Sequence, residues 1–185
     1  DALASWRVAA ARDQRRDAHG NLYLPAVVGG GPADTPPQQA QWMMAEALIH
    51  GSYLPPDDPL VAGTLAMLDA SAVDGLVPNV GWLEDGIWAY FGAWYSLMHL
   101  ESGHPDQAAD ALYAFANHAS PLGAWAEEQM PKGVGARTAG DFPHAWGSSL
   151  LVRTVRLLIA TERGDDLVLL DGVPTGWLVP DSQLR

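Results

Sequence analysis

The sequence predicts an all-α protein built from tandem antiparallel helical hairpins. Apolar residues recur at helical spacing along most of the 185 residues, and no alternation of strand and helix patterns is present. The first helices of successive hairpins begin near Thr35, Asp85 and Pro143. Their intervals of roughly 50 to 60 residues are close to the repeat length of helical-hairpin arrays.

The predicted elements follow in chain order. Helices are predicted for residues 3–17, 35–51, 57–70, 86–102, 104–120 and 143–164, with a short strand and turn in the tail, 165–185. Thr35 and Pro36 are typical of an N-cap and first helical position, and Gly51 and Gly103 of helix ends. The fourth helix is apolar on almost every side, which predicts that it is buried.

Two long linkers, residues 71–84 and 121–141, are expected at the same end of such an array. Linkers between antiparallel helices alternate between the two ends, and the linkers inside the hairpins are short. This end is predicted to carry Trp82, Glu84, Asp85, Trp125, Glu127, Glu128, Asp141 and His144. Loops rich in acids and indoles on a rigid scaffold predict a functional site.

Composition excludes several classes of function. The chain has 10 basic against 22 acidic residues, a net charge of −12, which disfavours partners such as nucleic acids or anionic membranes. It has no Cys, so thiolate catalysis and Cys-ligated zinc are excluded. The six His follow no zinc-binding spacing, the run at residues 29–31 lacks the context of a phosphate loop, and no Gly-x-Ser-x-Gly elbow is present. We therefore predict no metal and no cofactor at the site, with calcium bound by the acidic loops as the one alternative left open.

The remaining chemistry favours carbohydrates. Sugars are bound by aromatic faces and carboxylate acceptors, and glycoside hydrolysis uses two carboxyl groups. Trp82, Trp125 and Trp146 are the predicted stacking residues, with Asp141 and His144 as further binding residues. Asp141 has a competing interpretation, which we favour over catalysis, as the N-cap of the last helix. Trp88 and Trp94, inside the apolar helix, are predicted core residues.

The densest motif lies near the C-terminus. Residues 125–129 read WAEEQ, residues 140–146 read GDFPHAW, and residues 172–178 read GVPTGWL. This pattern resembles bacterial six-hairpin (α/α)₆ toroid glycosidases of the glucoamylase-like clan.

The resemblance implies that residues 1–185 are a single partial domain, the C-terminal portion of such an enzyme and about half of a toroid. It implies a general base at Glu128, which activates water with inversion, with Glu127 as its neighbour. The general acid is expected from Glu84 or Asp85, or from sequence outside this chain.

A second hypothesis is a non-catalytic helical-hairpin module. Half a toroid would expose its inner helices, including parts of residues 87–100, and exposed apolar surface drives self-association. The expected partners are thus a carbohydrate and either a second copy or the remainder of a longer parent chain. A polysaccharide lyase fits poorly, because the chain is acidic and its basic residues lie mostly in predicted helices.

Overall fold

The protein has a mixed α and β fold. The computed structural model describes residues 2–27, 35–49 and 53–178, and in them it has six helices and seven strands in three sheets. Helix accounts for 46% and strand for 13% of the described residues. The prediction of an all-α half-toroid is therefore wrong, because chain segments taken for helix ends and linkers pair as short strands.

The helices resemble the predicted ones in number but differ in their ends. They are α1 Ala2–Asp13, α2 Trp42–Ile49, α3 Pro59–Ser71, α4 Ala89–Glu101, α5 Pro105–Asn117 and α6 Ala145–Ile159. A single 3₁₀ turn follows at Thr175–Trp177. The predicted Gly-rich loop at 29–31 and the predicted C-cap at Gly51 lie outside the described residues.

All seven strands pair antiparallel and most are two residues long. They are β1 Arg15–Arg16, β2 Leu22–Tyr23, β3 Ile87–Trp88, β4 Glu128–Gln129, β5 Thr138–Ala139, β6 Ala160–Arg163 and β7 Asp166–Leu169. β1 pairs with β2 and β6 with β7, whereas β3, β4 and β5 form a three-stranded sheet in that order. This sheet joins segments about forty residues apart in sequence, since Trp88 lies opposite Glu128.

Two strand pairs explain where helices end early. α1 stops at Asp13 because Arg15 and Arg16 pair with Tyr23 and Leu22. α6 stops at Ile159, and the chain continues directly as β6 into a hairpin with β7. Gly164 makes that turn with a φ of 63°, in the left-handed region that favours glycine.

The core surrounds α4. Every residue from Ala89 to Leu100 is buried, as the apolar pattern predicts, and α4 packs against α2, α5 and α6. Its buried Ser96 hydroxyl donates to the Ala108 carbonyl oxygen at 2.6 Å, so this polar group is satisfied inside the core. No helix among the described residues has the length and apolarity needed to span a membrane.

A polar cluster joins α3 to α4, which we call the Asp69 cluster: Asp69, Tyr95 and His99. The Tyr95 hydroxyl donates to Asp69 Oδ1, and His99 Nε2 lies 3.0 Å from the same oxygen. Partial burial acts to raise the pKa of Asp69, but the hydrogen bonds from His99 and Tyr95 outweigh it and hold that pKa below its usual value. The cluster therefore favours a charged carboxylate that ties two helices together.

Candidate functional site

The three-stranded sheet brings the two predicted linkers together. β3 and β4 pair with Ile87 opposite Gln129, and β4 pairs with β5 with Glu128 opposite Ala139. The loop before β3 and the loops flanking β4 and β5 consequently meet beside the start of α4. This contact is the structural basis of the candidate site.

Glu128 is entirely buried, with 0% exposure. Its carboxylate accepts hydrogen bonds from the backbone N–H groups of Trp82, at 2.8 Å, and Leu83, at 2.9 Å. A Cβ on Gly81 would lie 1.9 Å from Glu128 Oε1, so the glycine leaves room for the carboxylate. Glu128 therefore fixes the Trp82 loop on the sheet, and both of its oxygens are engaged with backbone.

The environment also shifts the ionisation of Glu128. Burial raises the pKa of the Glu128 carboxyl, the two backbone N–H groups act to lower it, and the charge of Glu127 adds to the rise. The net shift is upward, since burial is the largest of these effects.

Glu127, which directly precedes Glu128 in the chain, has a different environment. Its carboxylate, an Asp141 oxygen and a ring nitrogen of His144 all lie within 4.8 Å of one another. Glu127 N–H donates to the Asp141 carbonyl at 2.9 Å, and Asp141 N–H donates to Glu127 Oε2 at 3.3 Å. Gly140, at a φ of 74°, has no Cβ to occupy the space that this carboxylate fills. We call Glu127, Asp141 and His144 the acid–histidine cluster.

His144 is the buried member of this cluster, with 6% exposure. Its backbone N–H donates to the Trp125 carbonyl at 2.7 Å, which fixes the residue at the N-cap of α6. Its Nε2 is buried without a hydrogen-bond partner in the described residues. The N-cap is thus His144 and not Asp141, and no side chain caps this helix.

Four rings form successive contacts beside the cluster, and we call them the aromatic row: Trp82, Trp88, Tyr90 and Trp146. Their ring centroids lie 5.5 Å apart between Trp82 and Trp88, 5.0 Å between Trp88 and Tyr90, and 4.9 Å between Tyr90 and Trp146. The two end members are largely exposed, Trp82 at 69% and Trp146 at 59%. The row reaches the acid–histidine cluster through Trp146, whose ring centroid is 6.3 Å from that of His144.

The remaining predicted residues are distributed between core and surface. Trp125 is buried, stacks on Phe115 with 4.8 Å between centroids, and donates its indole N–H to the Phe115 carbonyl, so its faces are closed to a ligand. Glu84 and Asp85 are exposed in the Trp82 loop. Asp85 exchanges hydrogen bonds with Asn79 and has a φ of 59°. Among the described residues, the Asp85 side chain accepts a hydrogen bond from Asn79, whereas the Glu84 side chain has no hydrogen-bond partner.

The structure therefore brings Trp82 and Trp146 into one row, and Glu127, Asp141 and His144 into one cluster beside it. Sequence reasoning placed Trp88 in the core and overlooked Tyr90. The spacing of Trp88 and Tyr90 on either side of a strand–helix junction carries no periodic signal that would single them out.

The acid–histidine cluster could also hold a metal ion. Two carboxylates and one imidazole, each offering one ligand atom within 4.8 Å of the others, suit a divalent first-row cation such as Zn²⁺. Sequence spacing did not suggest this set, because Glu127 precedes β4 whereas Asp141 and His144 follow β5, so the three do not share one helix face.

Comparison with known proteins gives no match to this chain. No family model matches the sequence, no curated protein is significantly similar to it, and no solved structure shares its fold at a significant level. Any function inferred for this protein consequently rests on the geometry of the aromatic row and the acid–histidine cluster.

Proposed function

We propose that this protein is a glycoside hydrolase, or part of one, whose sugar lies on the aromatic row. The observation that carries the proposal is that two largely exposed indoles, Trp82 and Trp146, belong to one row of rings that ends beside His144, the imidazole of a cluster with two carboxylates. Indole faces pack against the C–H faces of sugar rings, and carboxylates accept hydrogen bonds from sugar hydroxyls. The motif resemblance to six-hairpin glycosidases stays a prediction.

The general base in this proposal is Glu127. Glu128, which the resemblance indicates, has no exposed surface, and its carboxylate already accepts backbone N–H groups. Glu127 is only partly buried and lies beside Asp141 and His144. A base must come within about 3 Å of the water it activates, and Glu127 is the better placed of the two neighbours.

Asp141 does not suit the role of general acid in an inverting pair with Glu127. Inverting carboxyl groups are separated by about 6.5–9.5 Å to admit a water molecule. Oxygens of Glu127 and Asp141 lie within 4.8 Å of each other. In our proposal Asp141 and His144 orient Glu127, and the acid comes from Glu84, from Asp85 or from sequence outside this chain.

The test of the sugar-binding proposal uses three tryptophan variants. Hydrolysis of an aryl-glycoside panel and binding to a glycan array are measured for the 185-residue protein and for Trp82→Ala and Trp146→Ala. Each variant is expected to weaken glycan binding about tenfold, because one sugar face loses its apolar partner. Trp177→Ala is the matched control, since Trp177 is 53% exposed and lies outside the aromatic row. Equal losses in all three variants, or none, would contradict the proposal.

A second candidate function is self-association as a non-catalytic module. The surface predicted for self-association, α4, is buried, so it cannot form a contact between two copies. The exposed apolar surface lies instead on α6 and the following hairpin, where Val152, Val155, Leu167 and Leu169 are exposed. Light scattering tests this alternative: a dimer that Val152→Asp dissociates would support it, and a monomer at every concentration would exclude it.

A further inference from the structure

A concave surface borders the β4–β5 hairpin. A cavity of about 280 Å³ opens between the end of α5 and the loop that joins β4 to β5. Lys132 and Arg137 line it together with His118, Gln129 and Phe142, and no Asp or Glu side chain is part of its lining. We call this cavity the cationic pocket.

The charge of the cationic pocket is opposite to that of the protein. The chain has a net charge of −12 and only 10 basic residues, of which Lys132 is the single lysine. Within the described residues, neither Lys132 nor Arg137 is within ion-pair distance of a carboxylate, unlike Arg12, Arg156 and Arg163. Two cations without acidic partners in one concavity favour an anion as ligand.

Hydrogen bonds to main-chain carbonyls hold both cations while leaving donors free. Lys132 Nζ donates to the Asn117 carbonyl at 2.8 Å, and Arg137 Nη2 donates to the Glu84 carbonyl at 3.3 Å. An ammonium has three N–H donors and a guanidinium five, so most of them stay available.

His118 fixes the backbone at the same position. Lys132 N–H lies 3.3 Å from His118 Nε2, and His118 Nδ1 lies 2.7 Å from the Ala114 carbonyl oxygen. Asp74, whose carboxylate is also 3.3 Å from His118 Nε2, does not line the cavity. The loop that carries both cations is therefore attached to the end of α5.

The cationic pocket adjoins the candidate site. Three of its lining residues, Ala126, Gln129 and Phe142, are the chain neighbours of Glu127, Glu128 and Asp141.

We propose that the cationic pocket binds an anionic group, a carboxylate or a sulfate, of an acidic carbohydrate whose neighbouring sugar lies on the aromatic row. This inference rests on the proposed function and names its substrate class.

Inorganic sulfate is the first probe. The thermal unfolding midpoint of the 185-residue protein is followed as sodium sulfate replaces sodium chloride at constant ionic strength. Sulfate stabilises folded proteins in general, so binding at the cationic pocket is expected as a rise in the midpoint that is larger in the unmodified protein than in a variant without the two cations. Lys132→Gln with Arg137→Gln is expected to weaken the apparent sulfate affinity by a factor of about ten or more, since charge-assisted hydrogen bonds are lost.

The matched control is Arg7→Gln with Arg16→Gln. It removes the same charge, and these two side chains also donate to main-chain carbonyls, of Tyr53 and Gly20. A midpoint that sulfate leaves unchanged in the unmodified protein, or an equal loss in the control, would overturn the proposal.

A glycan array with neutral, carboxylated and sulfated members then identifies the source of the anion. We expect carboxylated or sulfated glycans to bind at least about tenfold tighter than neutral ones, and this preference to disappear in the Lys132→Gln, Arg137→Gln double variant. Sulfate binding without any preference for acidic glycans would overturn the assignment to a carbohydrate. If only neutral glycans bound, and Trp82→Ala weakened their binding, this inference would be refuted and the proposed function would stay intact. Absence of any glycan binding would refute both.

Discussion

Two carboxylate–histidine clusters of this protein use similar residues in different settings. In the Asp69 cluster, the carboxylate on α3 accepts a hydrogen bond from Tyr95 of α4 and lies 3.0 Å from His99 Nε2 of the same helix. In the acid–histidine cluster, the one hydrogen bond that the Glu127 carboxylate accepts within the described part of the chain comes from the backbone N–H of Asp141, at 3.3 Å, and His144 Nε2 has no hydrogen-bond partner there. The first cluster is built from helix faces and the second from loops around a two-residue strand.

The difference separates structural polar groups from candidate functional ones. A carboxylate that is held by side-chain donors gains stability from its charge and has little capacity left for a ligand. A carboxylate on a loop, beside a buried imidazole and exposed aromatic rings, keeps that capacity. We therefore expect changes in the Asp69 cluster to affect folding, and changes in the acid–histidine cluster to affect turnover.

The largest expected effect is the loss of turnover in Glu127→Gln. Removal of a general base lowers kcat by roughly 10² to 10⁴-fold, whereas the free energy of unfolding should stay close to that of the unmodified protein because Glu127 is only partly buried. Steady-state kinetics on the best aryl glycoside and urea denaturation provide the two readouts. Glu162→Gln, which changes an exposed carboxylate on β6, is the matched control. Turnover within threefold of normal in Glu127→Gln would remove Glu127 from the mechanism.

The second largest expected effect is the loss of turnover in Gly140→Ala. A Cβ on Gly140 would lie 2.0 Å from Glu127 Oε2, so Gly140→Ala should displace the carboxylate and lower kcat about 10²-fold. Gly133→Ala is the control, because Gly133 has a similar positive φ, 82° against 74°, but no atom lies within 4 Å of the place that its new methyl group would take. Both variants should lose about 1–2 kcal/mol of stability from backbone strain. Equal kcat values for the two would contradict the account.

Asp69→Asn should lower the free energy of unfolding by about 1–2 kcal/mol. This is the usual loss for hydrogen bonds to a charged group, reduced because the Asp69 side chain is 47% exposed. Urea denaturation measures it, and kcat per folded molecule should not change. A stable but inactive Asp69→Asn variant would reverse the roles that we assign to the two clusters.

The smallest effect is the pH dependence of that loss. Because the native pKa of Asp69 is lowered, its charged form contributes stability above the unfolded pKa of about 3.9, and this contribution disappears as the pH falls through the native value. The difference in unfolding free energy between the unmodified protein and Asp69→Asn should therefore be full at about pH 7 and shrink towards about pH 3. If this difference in unfolding free energy grew as the pH fell, the native pKa of Asp69 would be raised and not lowered, which would contradict the account.

Much of the helical framework could be predicted from sequence, since helices bury apolar stripes of regular period. α4 is the clearest case, because its lack of a polar face predicted complete burial. The proximity of Trp82 to β4 could also be anticipated, because the two long linkers that contain them were predicted at the same end of the helices.

The strands and the division of roles between adjacent residues could not be predicted. A two-residue strand such as β4 is too short for an alternating pattern, and its partners are distant in sequence. Glu127 and Glu128 look equivalent in the sequence. Only the tertiary contact with the Trp82 loop decides which carboxylate is buried. Likewise, a tertiary contact with Phe115 buries Trp125, whereas Trp146 is exposed.

The central claim is that carbohydrate binds across Trp82 and Trp146 beside Glu127. Its most direct test is the indole N–H region of the NMR spectrum, assigned with single Trp variants, during titration with the glycan that binds best. We predict that the signals of Trp82 and Trp146 shift in a saturable manner. The signals of Trp125, whose N–H donates to a backbone carbonyl in the core, and of Trp177 should stay in place. Shifts confined to Trp177, or unchanged Trp82 and Trp146 signals at saturating glycan, would contradict the account.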